Sequence, residues 1–363
     1  MFERRLFYHI DYLMIVALGA LCAIGVMMIY STTSIGPNST LYVKQLYAIA
    51  IGVVVFVVCL AIDYRTLAEN SLMFYLVVIA LLVGVLLFGT AGGGARRWVP
   101  LPFFALQPSE FAKLCVALTL AKFFDESRRG SPSMTDLAVG GVITLVPFLL
   151  IAKEPDLGTA ITVLTILLGI SFLAGMRLRL LGILLMLAIV AAPVAWRYAL
   201  KDYQKSRIST FIDPELDPRG AGYQQIQARI SVGSGGPWGK GFTKGTQGQL
   251  RFLPVAWNDF VFSVYGEEQG FVGVVVALGL YLFVIVRALE TARLAKDRLG
   301  AYLVMGILSA FTFQVMYNIT MSAGLAPVKG LTLPLMSSGG SSIVATLAGF
   351  GLILNVRMRR FTN

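Results

Sequence analysis

Three carboxylates stand where a polar stretch turns into an apolar run. Glu110 follows Pro108-Ser109, Asp156 follows Pro155, and Asp259 follows Trp257-Asn258. Aspartate is a favoured helix cap, and acids in a first turn suit the helix dipole, so each has a plain structural reading. Gathered at one mouth, they could do chemistry of two kinds. Glu110 and Asp156 could supply oxygen ligands to a divalent cation, Mg or Mn. Alternatively one acid could take a proton as general base. Asp259 is the choice for that role. It closes the mostly polar segment from Lys201 to Asn258 and opens an apolar helix, where a carboxylate is costly unless solvated, paired or in use.

Basic and glycine-rich stretches could serve an anionic substrate. Lys113 shares a helix face with Glu110, three residues earlier, and either pairs with it or neutralises a bound anion. Arg96 and Arg97, beside Trp98, suit a diphosphate or a lipid headgroup, or act as interfacial anchors. The run from Gly233 to Gly248 contains Lys240. Its glycines either let backbone N–H groups approach phosphate oxygens or simply make a flexible loop. It is no nucleotide P-loop, because Lys240 is followed by Gly241. Asp213-Pro-Glu-Leu-Asp217-Pro reads as a stiff acidic turn. Gln314 and Asn318 lie four apart, a spacing suited to hydrogen bonds between helices. His9 is the sole histidine and precedes the first apolar run, which excludes a histidine zinc site or a Ser/His/Asp triad. Cys22, Cys59 and Cys115 sit in apolar runs without a CxxC, as buried bystanders.

The elements that must position these residues cross a membrane. The 363 residues are 57% hydrophobic and 13% charged, against about 25% charged in a soluble domain. The net charge of +11 is scattered between apolar runs; it fits anionic membrane lipids and not nucleic acid. The first run is longer than a signal-peptide core, has no small-residue cleavage site after it, and reads as a retained span. The expected fold is an all-α integral membrane protein, 1–363 forming a single polytopic domain. Ten transmembrane helices are expected, at 12–30, 42–62, 72–89, 109–124, 137–152, 158–174, 180–199, 259–288, 300–323 and 341–356. One set of short loops and termini carries fourteen basic residues and the other set five. Both termini are therefore expected in the cytoplasm, and the large loop at about 200–258, between spans 7 and 8, outside. Nearly every unusual polar stretch then falls on the extracytoplasmic face.

The order of motifs resembles a known family. Gln107-Pro-Ser-Glu-Phe-Ala-Lys113 and Glu154-Pro-Asp-Leu-Gly-Thr159 come first. Asp202-Tyr-Gln-Lys-Ser-Arg-Ile, Asp213-Pro-Glu-Leu-Asp-Pro, Ile230-Ser-Val-Gly-Ser-Gly-Gly, Gly245-Thr-Gln and Phe252-Leu-Pro follow. Asn258-Asp-Phe-Val-Phe, Gly266-Glu-Glu and a late Gly-Gly-Ser-Ser that includes Ser341 complete the series. This resembles the SEDS family of shape, elongation, division and sporulation proteins over essentially the whole chain, and its elongation branch more than its division branch. Two departures stand out. Trp257-Asn258 replaces a frequent His-Thr, and Ser337-Ser338-Gly-Gly replaces a frequent Ser-Tyr-Gly-Gly.

The resemblance implies a peptidoglycan polymerase of the bacterial cytoplasmic membrane, active outside. It would join lipid II-linked disaccharides into a nascent glycan strand for elongation and rod shape, inverting at the anomeric carbon and releasing undecaprenyl diphosphate. A class B penicillin-binding protein would supply the crosslinking. Asp259 takes the family's essential aspartate position, and Glu110, Lys113 and Asp156 fall on other important ones. Arg97 and Lys113 are the expected diphosphate contacts, with Lys240 and Ser341 as further substrate contacts. No nucleotide or organic cofactor is expected, because the diphosphate bond already stores the energy. The competing reading is a lipid II flippase without chemistry, which would need polar residues along a path from inside to outside.

Overall fold

The computed structural model describes residues 10–34, 39–92, 95–100, 105–127, 131–198, 202–218, 220–250 and 252–361. Helices α1 (Tyr12–Thr33), α2 (Leu41–Ala61), α3 (Tyr64–Glu69) and α4 (Ser71–Phe88) lead into strands β1 (Thr90–Gly92), β2 (Ala95–Pro100) and β3 (Ala105–Leu106). Then come α5 (Pro108–Glu126), α6 (Met134–Lys153), α7 (Leu157–Leu173), α8 (Leu178–Tyr198), α9 (Asp202–Ile212), α10 (Ala221–Ser234) and α11 (Thr246–Gln249). The long α12 (Val261–Arg293), α13 (Arg298–Ser322) and α14 (Gly340–Met358) complete the chain. Each of the ten expected apolar segments contains a helix. Among the described residues, α1, α2, α4, α6, α12, α13 and α14 are long and apolar enough to cross a membrane. The α7 helix is apolar but only 17 residues long, and α5 carries Glu110, Lys113, Lys122, Asp125 and Glu126.

Most of the exposed apolar side chains lie along α1, α2, α4, α6, α8 and α12, as suits helices whose solvent is lipid. By contrast α14 is enclosed almost throughout, between α2, α5, α12 and α13. Small residues let α2 and α14 approach: a side chain at Gly351 would meet the Phe56 carbonyl oxygen at 2.7 Å. At the far end of α14, the Asn355 amide donates to the carbonyls of Cys59, Leu60 and Ile62 and accepts from the Tyr64 amide. One side chain thus satisfies the open end of α2 and the start of α3.

Two expectations are corrected. The chain is not all-α: β1, β2 and β3 form an antiparallel sheet in the order β1-β2-β3, pairing Gly92 with Ala95 and Val99 with Leu106. Strands of two, three and six residues carry too little periodicity to be read locally. They form because backbone groups between α4 and α5 must find partners. The segment 200–258 is likewise more than a loop. It folds into α9, a 3₁₀ turn at Pro214–Leu216, α10 and α11, and α10 packs on α12 and α13. The acidic stretch within it is a turn as expected: Asp213 accepts from the Glu215 amide and Asp217 from the Ala221 amide.

A break in α12 sets up the site. Gly270 has φ 64° and ψ −165°, which ends one helix and starts another. The glycine-rich turn 235–241 wedges into the gap. Amides of Lys240 and Gly241 donate to the carbonyls of Glu267 and Glu268, while carbonyls of Gly236 and Pro237 accept from Phe271 and Val272. Residues 271–293 alone rise about 35 Å, enough to span a bilayer. The preceding half-helix, Val261 to Glu268, is buried on every face.

Candidate active site

Asp259 lies just before that half-helix, and its carboxylate is not a cap. The Ser263 and Val264 amides both donate to the Phe260 carbonyl, and helix α12 starts without a side-chain cap. The segment 257–259 is instead held by its backbone. Asn318 of α13 donates one amide to the carbonyls of Asp259 (3.0 Å) and Leu331 (2.7 Å). The Ser337 hydroxyl donates to the Asn258 carbonyl at 2.6 Å and accepts from the Leu333 amide. The Ser338 amide donates to the Trp257 carbonyl. Gln45 of α2 grips the same strap, donating to the Ser337 carbonyl and accepting from the Gly339 amide. A strap from about 325 to 339 thereby fixes the backbone and leaves the carboxylate free.

That carboxylate is half-buried, and Oδ1 is enclosed with no hydrogen-bond donor. Its neighbour across the strap is Gly330, where a Cβ would stand 3.6 Å from Oδ2. Burial pushes the acid up to about 6, with Asp156 adding to the rise and Arg207 and Arg97 opposing it. A helix start was expected to favour the charged form; without amide donors that stabilisation is missing, and desolvation wins.

Asp156 acts on Asp259 through its charge. It does cap α7, accepting from the Thr159 amide and hydroxyl, and it also accepts from Gln107 at 3.2 Å. Arg97 is delivered by β2. Its guanidinium donates to the carbonyls of Glu154 and Pro155, with Asp156 at 3.9 Å. Arg96 has its side chain outside the described residues. Glu154 is an acid that sequence reasoning passed over. It is 1% exposed, both carboxyl oxygens lack a partner, and burial with Asp156 beside it pushes it up to about 8. Its neutral form is the stable one at pH 7. The adjacency Glu-Pro-Asp was its only signal.

Glu110 and Lys113 form an ion pair at 2.7 Å, and the ammonium also donates to Gln314 at 2.9 Å. All three are buried and line a cavity of about 30 Å³ between α5, α13 and α14, room for ordered water. Gln314 and Asn318 share a face of α13 one turn apart, so the buried pair lies roughly 6 Å along that helix from the residue that holds Asp259. Ser341 donates to the Ala105 carbonyl and accepts from the Gln107 amide, which ties α14 to β3 and α5.

Two sequence readings change here. Glu110 and Asp156 do not assemble a cation site: one is bonded to Lys113, the other to Thr159 and Gln107. Among the described residues no three histidines, cysteines or acids cluster as metal ligands. Lys240 is held elsewhere, donating to Glu267 at 2.6 Å and to Thr246 at 3.0 Å. Glu267 lies about 9 Å of helix rise beyond the start of α12. The glycine run around Lys240 offers its amides to helix carbonyls, and those amides are not available to a phosphate.

The comparisons with known proteins agree over the full length. A family model described as cell cycle protein, for FtsW, RodA and SpoVE, matches residues 5–361. The peptidoglycan glycosyltransferase MrdB of Escherichia coli K12 is 38% identical, over 97% of this chain and 94% of that protein. The peptidoglycan glycosyltransferase RodA of Treponema pallidum is 32% identical, over 96% and 98%. Among solved structures, a chain of a peptidoglycan synthase complex that coordinates polymerisation and crosslinking matches with a TM-score of 0.85, at 32% identity, over 98% of this chain and 99% of that one. The rod-shape determining protein RodA of Thermus thermophilus matches with a TM-score of 0.73, at 30% identity, over 98% of each chain. The chain is an integral membrane protein that belongs to the FtsW, RodA and SpoVE family of cell cycle proteins.

Proposed function

We propose that the chain is a peptidoglycan glycosyltransferase that polymerises lipid II into glycan strands at the extracytoplasmic face of the bacterial cytoplasmic membrane. The observation that carries this reading is Asp259: a carboxylate with one enclosed, unbonded oxygen and a raised pKa of about 6, on a backbone pinned by α13 and by the strap. A base of that strength is close to the working pH. In the reaction, the acceptor's GlcNAc 4-hydroxyl gives its proton to Asp259 as its oxygen attacks the MurNAc anomeric carbon. The C1–O bond to the diphosphate breaks with inversion, and undecaprenyl diphosphate leaves with the electron pair. The pinned strap supplies orientation.

Ten spans with both termini cytoplasmic are part of this reading, since the basic residues of the short loops favour it. The other site residues have positioning roles in this reading. Asp156 and Arg97 shape the charge around Asp259, Glu110 and Lys113 hold the inner wall, and Ser341 anchors α14 beside them. A divalent cation enters only with the substrate diphosphate, whose oxygens such ions prefer; the side chains present do not make a resident site. A class B penicillin-binding protein is the proposed partner, on the likeness to the synthase complex.

The test is polymer formation by purified full-length protein reconstituted with lipid II and no other glycosyltransferase. The native chain is expected to make glycan strands, and Asp259→Asn to lose at least about a hundredfold in rate. Lipid II that crosses leaflets without polymer would replace this reading with transport.

A further inference from the structure

Helices α1 and α2 border a groove that the reaction above leaves unused. Its cavity is about 490 Å³, lined only by apolar side chains, one glycine and one cysteine. It runs from Ile15 to Val26 along α1 and from Leu46 to Phe56 along α2, about 15 Å on either helix. The floor is buried: Leu18 and Cys22 of α1, with Leu347 of α14 behind them. The rim is exposed, Gly19 and Ala23 on one side and Leu46 and Val53 on the other. Gly19 supplies much of the room. A Cβ there meets nothing within 4 Å, whereas at Gly25 it would strike Met336 Cα at 2.7 Å and at Gly52 the Leu347 side chain at 2.6 Å. At Gly25 and Gly52 the missing side chain lets a neighbour close in; at Gly19 it leaves space open to lipid.

One end of the groove is joined to the candidate active site. Gly25, next to Val26, packs on Leu335 and Met336 of the strap. Gln45, next to Leu46, bonds the Ser337 carbonyl and the Gly339 amide. The Ser337 hydroxyl in turn holds the Asn258 carbonyl, one residue before Asp259. Beyond Val26, Ser31 donates to Glu268 in the half-helix that follows Asp259. Tyr30 and Tyr42 stand one turn past Val26 and Leu46 and meet edge to face, their ring centres 5.3 Å apart. Phe242 stacks on Tyr30 at 6.3 Å. These rings close the same end of the groove at which the strap begins.

A lining without charge or strong hydrogen-bonding groups recognises hydrocarbon. Within a bilayer, leaving lipid brings no hydrophobic gain, so fit selects the occupant. The slot is single, and α1 and α2 pack against each other beside it. It suits one chain better than the paired chains of a phospholipid or a helix about 10 Å across, and the small residues on its rim leave room for methyl branches. We propose that this groove holds the first units of the polyprenyl tail of one of the two lipid-linked sugars. This rests on the glycosyl-transfer reading above, in which two such tails must reach one site. A tail seated here ends at the strap, the same segment that fixes the backbone beside Asp259, and the rest of the chain stays in lipid.

The test uses the full-length protein in phosphatidylcholine discs with a polyprenyl phosphate that carries a diazirine near its phosphate end. After irradiation, peptide mass spectrometry reads where the probe attaches. Label is expected within residues 15–26 and 46–56, and unlabelled polyprenyl phosphate should displace it. Gly19→Leu and Ala23→Leu fill the groove from its rim. Each should cut this label by about fivefold or more and raise KM for lipid II, with kcat within about twofold of the parent. Val16→Leu, on the lipid side of α1, should change neither. If Gly19→Leu lowers the melting temperature, Ala23→Leu and the displacement by unlabelled probe decide. Label only elsewhere, or label untouched by both substitutions, overturns the proposal. So does full displacement of the probe by added phosphatidylglycerol, which would give the groove to two-chain lipids. A dimer that Gly19→Leu turns into a monomer, with no label in the groove, would give it to a second copy of the chain and overturn the proposal too. Label in the groove of a chain that makes no polymer would keep the tail site and sink the polymerase reading instead.

Discussion

At Asp259 two effects compete, and their balance sets the chemistry. Enclosure of Oδ1 raises the acid, whereas Arg207 and Arg97 lower it, and the result is about 6. In the proposed role the base is the anion, so activity is expected to be full above this pKa and lost as pH falls through it. The rate of glycan formation at saturating lipid II is expected to fall about tenfold for each pH unit below 6. A rate unchanged down to about pH 4.5 would rule out Asp259 as the titrating base. The residue's place between a polar segment and an apolar helix was legible in the sequence. Its environment was not. Whether a side chain caps a helix depends on where the first turn closes, and here it closes one residue later, on the Phe260 carbonyl.

At the scale of elements, the break in α12 does the positioning. It lets a buried half-helix follow Asp259 while residues 271–293 remain long enough to span a bilayer. A Cβ at Gly270 would lie 2.2 Å from the Gly239 amide nitrogen, at a φ that L side chains rarely adopt. Gly270→Ala is therefore expected to destabilise the fold by roughly 2–4 kcal/mol, from strain plus the displaced turn. Thermal unfolding in detergent reads this directly, and a melting temperature equal to the parent's would contradict it. The glycine run 233–248 was visible in the sequence as either a phosphate cradle or a flexible loop. The structure makes it neither, because its partners are carbonyls and amides some thirty residues away. Lys240 follows the same logic: its spacing from glycines suggested an anion, and its actual partner is Glu267.

For the whole molecule, orientation is the property that most directly links fold to function. With the native cysteines buried or half-buried, a single cysteine can report it. Glu215→Cys, in the exposed turn after α9, is expected to react with a membrane-impermeant maleimide added outside intact cells. Leu294→Cys, exposed between α12 and α13, should react only after permeabilisation. The reverse pattern would invert the topology and move Asp259 to the cytoplasmic side. The sequence by itself determined the membrane class, the ten helical segments and the family, since each is written in local apolar runs or in the order of short motifs. Only the tertiary structure decided who pairs with whom. It gave Lys113 to Gln314, Arg97 to two carbonyls, the Asp259 carbonyl to Asn318 and the Asn258 carbonyl to Ser337. Such pairings join residues tens to hundreds of positions apart, and a hydrogen bond or an ion pair depends on distances in space that no local periodicity encodes.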